Sequence, residues 1–193
     1  NRFELLVLKI SKYNFQIMDK CILHKGNDVN NFNTDKTVNP CIYLRKDVNT
    51  LVFNVGLDTI YEDDVSCDEA ARDSNINECE IKKFPLQSWV NINMSLTGSS
   101  LDIFLNGELH KSCILSGAPT INNNDLRICP ATNVSEPGFN GYISNLKYSN
   151  KPLHYNKIVD IYKSGPTIED NKGFLDYLKF WNYFGYKVKV VKI

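Results

Sequence analysis

Apolar and polar residues alternate most regularly between Trp89 and Leu96. Val90 and every second residue after it are apolar, whereas the residues between them are Asn and Ser. A period of two is typical of a β-strand that buries only one face. The segment therefore predicts a half-buried β-strand, with Asn93 on its polar side.

The apolar run that follows ends at Asn106-Gly107, a pair that favours a two-residue type I′ hairpin turn because both positions tolerate positive φ. A turn of this length predicts which residues face each other across the hairpin. Phe104 should face Leu109, and Asp102 should face Lys111.

Short apolar segments separated by Asn-, Gly- and Pro-containing loops recur along the rest of the chain. One segment, 156–164, instead has apolar residues three and four positions apart and is followed by Gly165-Pro166, which predicts a short helix. Many short strands and one helix near the C-terminal third predict an all-β fold, an antiparallel two-sheet β-sandwich or jelly roll. Further strands are expected at 3–10, 20–26, 41–47, 50–56, 126–129, 142–148 and 186–192.

An acidic stretch, about 58–80, lacks sustained periodicity. It is expected to be a long loop between strands, because charge clusters of this kind are usually solvated. Calcium is the alternative, since this cation takes several carboxylate ligands. The spacing does not match the EF-hand loop, and no particular ligand residues are predicted.

The size and charge of the chain suit one soluble domain covering residues 1–193. It has 193 residues, of which 42% are hydrophobic and 23% charged, and the 22 basic residues equal the 22 acidic ones. This balance provides no global field for nucleic acid or an anionic membrane. No apolar run reaches the roughly 20 residues of a membrane span. The chain begins at Asn1 rather than Met and starts at once with strand-like sequence, so an upstream segment, which could carry an anchor, is expected to precede it.

Six cysteines occur, and none lies in a C-x-x-C motif that would indicate a zinc ribbon or a thioredoxin-like site. Cys67 and Cys79 are the most plausible local disulfide because they would close the acidic loop. Two N-glycosylation sequons begin at Asn93 and Asn133. Such triplets also arise by chance in a chain rich in Asn, so modification and its absence both remain open.

Enzymatic motifs are missing from the sequence. The three histidines, His24, His110 and His154, lie outside any nucleophile motif. Glu62-Asp63-Asp64 comes nearest to the paired carboxylates of a glycoside hydrolase, but Ser66 and Cys67 stand where the partner acid is needed. We therefore expect a protein that is not an enzyme and needs no cofactor.

Aromatic residues are the remaining candidates for a binding site. Trp89 lies in the polar phase of its strand, and Trp181 and Tyr183 lie in the C-terminal segment. Trp and Tyr on an open face can stack on sugars or anchor a protein partner. Aromatics at strand ends also commonly cover the edges of a sandwich core, which is the competing interpretation.

Several segments, taken in order, resemble the laminin-G-like, concanavalin A-like jelly roll, and in particular the lectin-like domains encoded by giant DNA viruses. They are "ILHKG" at 22–26, "NPCIYLRKDVNTLVF" at 39–53, "FPLQSWVNINMSL" at 84–96, "LDIFLNGELHKSCIL" at 101–115, "GFNGYISNLKY" at 138–148 and "IYKSGP" at 161–166.

The resemblance implies a binding or structural role. Its first form is a virion component, a minor capsid or envelope-associated protein that contacts other proteins. The alternative is a lectin-like module for host-surface glycans, secreted or at the cell surface. In viral members the domain is often fused to an N-terminal membrane anchor, so membrane association is expected only through an upstream segment. Nucleic acid is not an expected partner.

Overall fold

The computed structural model describes residues 2–4, 6–10, 18–46, 48–58, 76–131, 139, 141–149, 154–166 and 187–188. These residues contain thirteen strands and one helix. The N-terminal half of the chain contains β1 Arg2–Glu4, β2 Leu6–Ile10, β3 Lys20–His24, β4 Cys41–Leu44, β5 Thr50–Gly56, β6 Ile76–Lys82 and β7 Val90–Thr97. The remainder contains β8 Ser100–Leu105, β9 Glu108–Ile114, β10 Arg127–Ile128, β11 Gly141–Ser144, β12 Lys147–Ser149, α1 Tyr155–Ser164 and β13 Lys187–Val188.

The strands form two principal sheets, which confirms the predicted β-sandwich. One sheet has six strands in the order β13-β11-β2-β7-β8-β9, and the other has five in the order β10-β3-β4-β5-β6. A two-stranded ribbon, β1-β12, completes the arrangement. All described pairings are antiparallel except that of β13 with β11.

The main core lies between the two sheets. The alternating apolar residues of β7, which begin at Val90, are all buried there, and they pack with the apolar residues of the five-stranded sheet such as Leu51 and Phe53. Burial of this apolar surface is the principal force that holds the sheets together.

A second apolar cluster lies on the other face of the five-stranded sheet. Phe32 and Val38, from the loop 25–40, cover Cys21, Cys41 and Tyr43 there. This cover explains why every residue of β3, β4 and β5 is buried, although strands with one exposed face would alternate.

The predicted Asn106-Gly107 turn is confirmed. Both residues have positive φ, 51° and 83°, and β8 and β9 pair on either side of them. Phe104 faces Leu109 as expected. The predicted pairing of Asp102 with Lys111 is wrong, because the register shifts between Ile103 and Phe104 and Asp102 faces Ser112 instead.

The acidic stretch is shorter than predicted. Its last residues, Ile76 to Glu80, belong to β6, which pairs with β5 along seven residues. Residues 59–75 lie outside the described part of the chain. The single strand predicted at 3–10 is two strands in the structure. β1 pairs with β12, whereas β2 pairs with β11 and β7.

Candidate functional site

Trp89 and Tyr142 form an aromatic pair on the outer face of the six-stranded sheet. Their ring centroids are 6.3 Å apart, and the ring planes are tilted by 50°. Each precedes a buried residue that points into the main core, Val90 and Ile143 respectively, so both aromatic side chains lie on the opposite face. Trp89 keeps 40% of its surface exposed. This arrangement provides an accessible aromatic platform.

The sheet fixes the spacing of the two rings. Leu8 of β2 pairs with Val90, and Lys9 pairs with Tyr142, so one strand separates the two aromatic residues. Neighbouring strands lie about 4.8 Å apart. The backbone hydrogen bonds of three strands therefore hold the platform in place.

The segment that leads into Trp89 is also held firmly. Residues 83–89 cross from one sheet to the other and are anchored by the fully buried side chain of Phe84. The Phe84 amide donates to the Asn49 carbonyl at 3.2 Å, and the Asn49 side-chain amide donates to the Phe84 carbonyl. Lys83 and Gln87 both adopt positive φ, a backbone conformation that residues other than Gly rarely occupy. The crossover is thus an ordered loop that presents Trp89.

The helix α1 borders the same end of the sheet. Tyr162 packs against Gly107, where an added Cβ would lie 3.1 Å from its ring. At the helix C-terminus, the Asn145 side chain donates to the Gly165 carbonyl at 3.2 Å. Tyr162 is 45% exposed, so it adds a further accessible aromatic side chain near the Asn106-Gly107 turn.

The two asparagines on the polar side of β7 are buried. Asn93 is only 2% exposed, and its Nδ2 donates to Asn91 Oδ1 at 2.7 Å. A glycan would have to be attached at this same nitrogen. Asn93 is therefore not accessible for glycosylation in the folded chain, which favours a chance occurrence of this sequon. Asn133 lies outside the described residues.

Asn91 also ties β7 to the hairpin turn. Its backbone N–H donates to Asn106 Oδ1 at 3.0 Å, and the Asn106 N–H donates to the Asn91 carbonyl at 2.8 Å. Because Asn91 follows Trp89 by two residues, these bonds place the turn beside the aromatic pair.

The disulfide prediction was wrong in its pairing. Cys79 of β6 is bonded to Cys113 of β9, and Cys67 lies outside the described residues. The bond joins the terminal strand of one sheet to the terminal strand of the other. Sequence proximity favoured Cys67, whereas the sandwich brings together two cysteines that are 34 residues apart.

Tyr43, Arg45 and Glu78 form a polar network, but its chemistry does not suit a nucleophile. Tyr43 donates to Glu78 Oε1 at 2.6 Å, and Arg45 Nη2 lies 2.6 Å from Glu78 Oε2 and 2.5 Å from Glu80 Oε1. Burial and the Glu78 carboxylate raise the pKa of Tyr43. The phenol stays protonated, so it serves as a structural donor.

His24 is likewise placed for a structural role. It is fully buried, and its Nε2 lies 3.2 Å from Asp35 Oδ2. Asp35 also accepts bonds from the backbone of Asp28 and Thr37 and from the Thr37 hydroxyl. Burial lowers the pKa of His24 although the Asp35 carboxylate opposes this shift. The pair fastens the loop 25–40 to the sheet.

Within the described ranges, no three His, Cys, Asp or Glu side chains group as metal ligands would. The same residues contain no helix long and apolar enough to cross a membrane. The calcium prediction for the acidic loop stays a prediction, because most of that loop is outside the described residues.

No family model matches the chain, and no curated protein matches it either. Solved structures do match, and they show the fold to be a β-sandwich. The binding domain of botulinum neurotoxin DC in complex with SialylT has a TM-score of 0.56 at 12% identity. The match covers 84% of this chain and 35% of that one.

Two other structures give a similar result. One describes cell entry of botulinum neurotoxin type C as dependent on two ganglioside molecules; it has a TM-score of 0.53 at 14% identity, covering 85% of this chain and 36% of that chain. The other is the CBM40 of the Ruminococcus gnavus IT-sialidase bound to α2,3-sialyllactose, with a TM-score of 0.52 at 9% identity, covering 83% and 82%. The chain thus spans about a third of the neurotoxin binding domains and most of the CBM40. At these identities the likeness concerns the fold.

Among the predicted contact residues, Trp89 is the one that the structure describes, and it lies at the surface as expected. Trp181 and Tyr183 fall outside the described residues. Sequence reasoning missed Tyr142 as the partner of Trp89, because it treated this tyrosine as an ordinary strand residue. The alternation of Tyr142 with the buried Ile143 was the available signal.

Proposed function

We propose that this protein is a non-enzymatic, lectin-like module that binds glycans through Trp89 and Tyr142. The observation that carries the proposal is the accessible, tilted aromatic pair on the outer face of the six-stranded sheet. Aromatic rings bind the apolar faces of sugar rings, while nearby polar groups satisfy the hydroxyls. Gln87 and Ser88, which are both exposed beside Trp89, supply such groups.

Sialylated glycans are the first ligands to test. The names of two structurally similar domains state that they were bound to sialylated ligands, and a third names gangliosides. Their fold supports a glycan-binding role here, but a fold alone does not define a ligand. The proposed chemistry therefore rests on the aromatic pair of this chain.

A glycan array followed by calorimetry tests the proposal. Trp89→Ala should weaken binding of the best glycan about tenfold, because an aromatic contact contributes roughly 0.5–1.5 kcal/mol beyond its buried area. Tyr155→Ala is the matched control, since this tyrosine is exposed at the start of α1 and is not part of the pair. Sialyllactose and lactose should be compared directly.

Equal affinity of the wild type and Trp89→Ala would exclude the aromatic pair as the binding site. Equal losses in Trp89→Ala and Tyr155→Ala would indicate a nonspecific effect. A requirement for calcium in the array would point to the acidic loop instead, because hard cations need carboxylate ligands.

The Cys79–Cys113 disulfide supports a secreted or surface location. Disulfides persist in oxidising compartments and are rare in reducing cytosol. The other form of the hypothesis, a virion component that contacts capsid or envelope proteins, stays a prediction. The exposed Trp89 beside the half-buried Tyr142 favours glycans over that role.

A further inference from the structure

Three exposed residues lie on neighbouring backbone segments at one end of the five-stranded sheet. Thr50 at the start of β5 pairs with Lys82 at the end of β6. Val48 lies two residues before Thr50, and Lys83 directly follows Lys82. The Phe84 and Asn49 backbones are hydrogen-bonded just beyond. We refer to Val48, Lys82 and Lys83 as the lysine–valine rim.

The rim combines positive charge with exposed apolar surface. Lys82 and Lys83 are both exposed, and Val48 keeps 50% of its surface in solvent. The two acidic side chains that precede Lys82 on β6, Glu78 and Glu80, share the single cation Arg45. This group offsets only one of the two lysine charges, so the rim keeps a net positive charge. Pro85 adds exposed apolar surface in the same crossover.

The rim is also rigid. Phe84 is fully buried directly after Lys83, and two hydrogen bonds join it to Asn49, directly after Val48. The ordering entropy of these backbones has therefore been spent on folding, and binding does not have to supply it again.

We propose that the lysine–valine rim docks onto the surface of an anionic phospholipid bilayer. Lysines near such a surface are attracted by its negative potential, and a partly exposed apolar side chain can enter the interfacial layer. The positive, apolar and ordered character of the rim matches both requirements. Lys83 of the rim and Trp89 of the aromatic pair are the two ends of one crossover, residues 83–89, so docking would bring Trp89 close to glycans carried by the same membrane.

This inference goes beyond the proposed glycan binding and does not depend on it. Cosedimentation of the purified chain with vesicles of phosphatidylcholine alone, or with added phosphatidylserine, tests it directly. We expect binding to the anionic vesicles, weak binding to neutral ones, and release in high salt because the attraction is screened. Soluble phosphoserine should not displace the protein, because a single head group does not reproduce a charged surface.

Two variants locate the contact. Lys82→Gln with Lys83→Gln should weaken vesicle binding about thirtyfold, since each lysine near an anionic surface contributes about a fivefold change. Val48→Ser leaves the charge unchanged and should weaken binding about threefold, because only half of the valine remains to be buried. The matched control, Lys147→Gln with Lys157→Gln, removes two exposed lysines elsewhere and should bind as the wild type does.

Equal losses in both double-lysine variants would overturn the proposal, because net charge rather than the rim would then determine binding. Binding to neutral vesicles as strong as to anionic ones, or no binding to either, would also overturn it. Displacement by phosphoserine would replace a bilayer surface with a head-group pocket. If the Lys82→Gln, Lys83→Gln variant loses vesicle binding but keeps its glycan affinity, the rim and the aromatic pair are independent sites.

Discussion

Loss of the Cys79–Cys113 disulfide should lower the free energy of unfolding substantially. The bond closes a loop with a sequence separation of 34 residues, and the chain-entropy relation gives about 4 kcal/mol for a loop of this length. The bond acts where β6 and β9 end their respective sheets. Among the described strands, β6 and β9 are at the edges of their sheets, so the cross-link restrains two edges that would otherwise separate first.

This magnitude is large compared with the total stability of a domain, which is commonly about 5–15 kcal/mol. Across the same edge, Lys111 Nζ donates to the Glu80 carbonyl at 2.9 Å. That contact is exposed and contributes little in water. The disulfide therefore dominates the covalent and polar linkage between β6 and β9.

Urea unfolding of the Cys79→Ala, Cys113→Ala variant measures the effect without introducing free thiols. Linear extrapolation of the transitions gives the free energy of unfolding for both proteins. When a reductant is added, the free energy of unfolding of the wild type should fall towards that of the variant. The free energy of unfolding of the variant should not change. A difference below about 1 kcal/mol would refute the entropic account of this cross-link.

Two further perturbations test the hairpin turn and the buried histidine. Gly107→Val should destabilise the fold by about 2 kcal/mol in thermal or urea unfolding, because a β-branched residue resists the positive φ. The control Gly98→Val shares the positive φ without a neighbour such as Tyr162 and should cost less stability. Unchanged stability of Gly107→Val would contradict the turn geometry. Because the pKa of His24 is lowered in the folded chain, the unfolded chain binds the proton more readily, and stability should fall below about pH 6.5 by at most about 1.4 kcal/mol per pH unit. His24→Gln should remove this slope, and an unaltered slope would assign it to other groups.

Local sequence patterns predicted the Asn106-Gly107 hairpin turn and the helix correctly because short-range chemistry determines them. Positive φ at Asn106-Gly107 needs residues that tolerate it, and these two residues do. The three-residue spacing of Ile158 and Ile161 similarly predicted α1, in which both residues are buried and which ends at Ser164 before Gly165. Such features depend on few residues that are close in the sequence.

The missed features depend on contacts between distant segments. The bulge at Ile103 and Phe104 shifts the pairing of Asp102 by one residue. The alternation of apolar and polar residues in β8 and β9 does not predict this bulge. Cys79 reaches Cys113 because two sheets pack together. Tyr142 reaches Trp89 across an intervening strand that comes from the start of the chain. These pairs could be found only after the sheet order was known.

The polar side of β7 reverses the usual relation between hydrophobicity and burial. Asn91 and Asn93 are buried, whereas Trp89, in the same phase of the strand, remains 40% exposed. Burial of amide groups is costly unless they are hydrogen-bonded, and the bond between these two asparagines offsets part of that cost. Exposure of a tryptophan gives up apolar burial that a strand at this position could gain. Folded chains depart from local rules mainly at functional sites, so this reversal supports a binding role for the outer face of the six-stranded sheet.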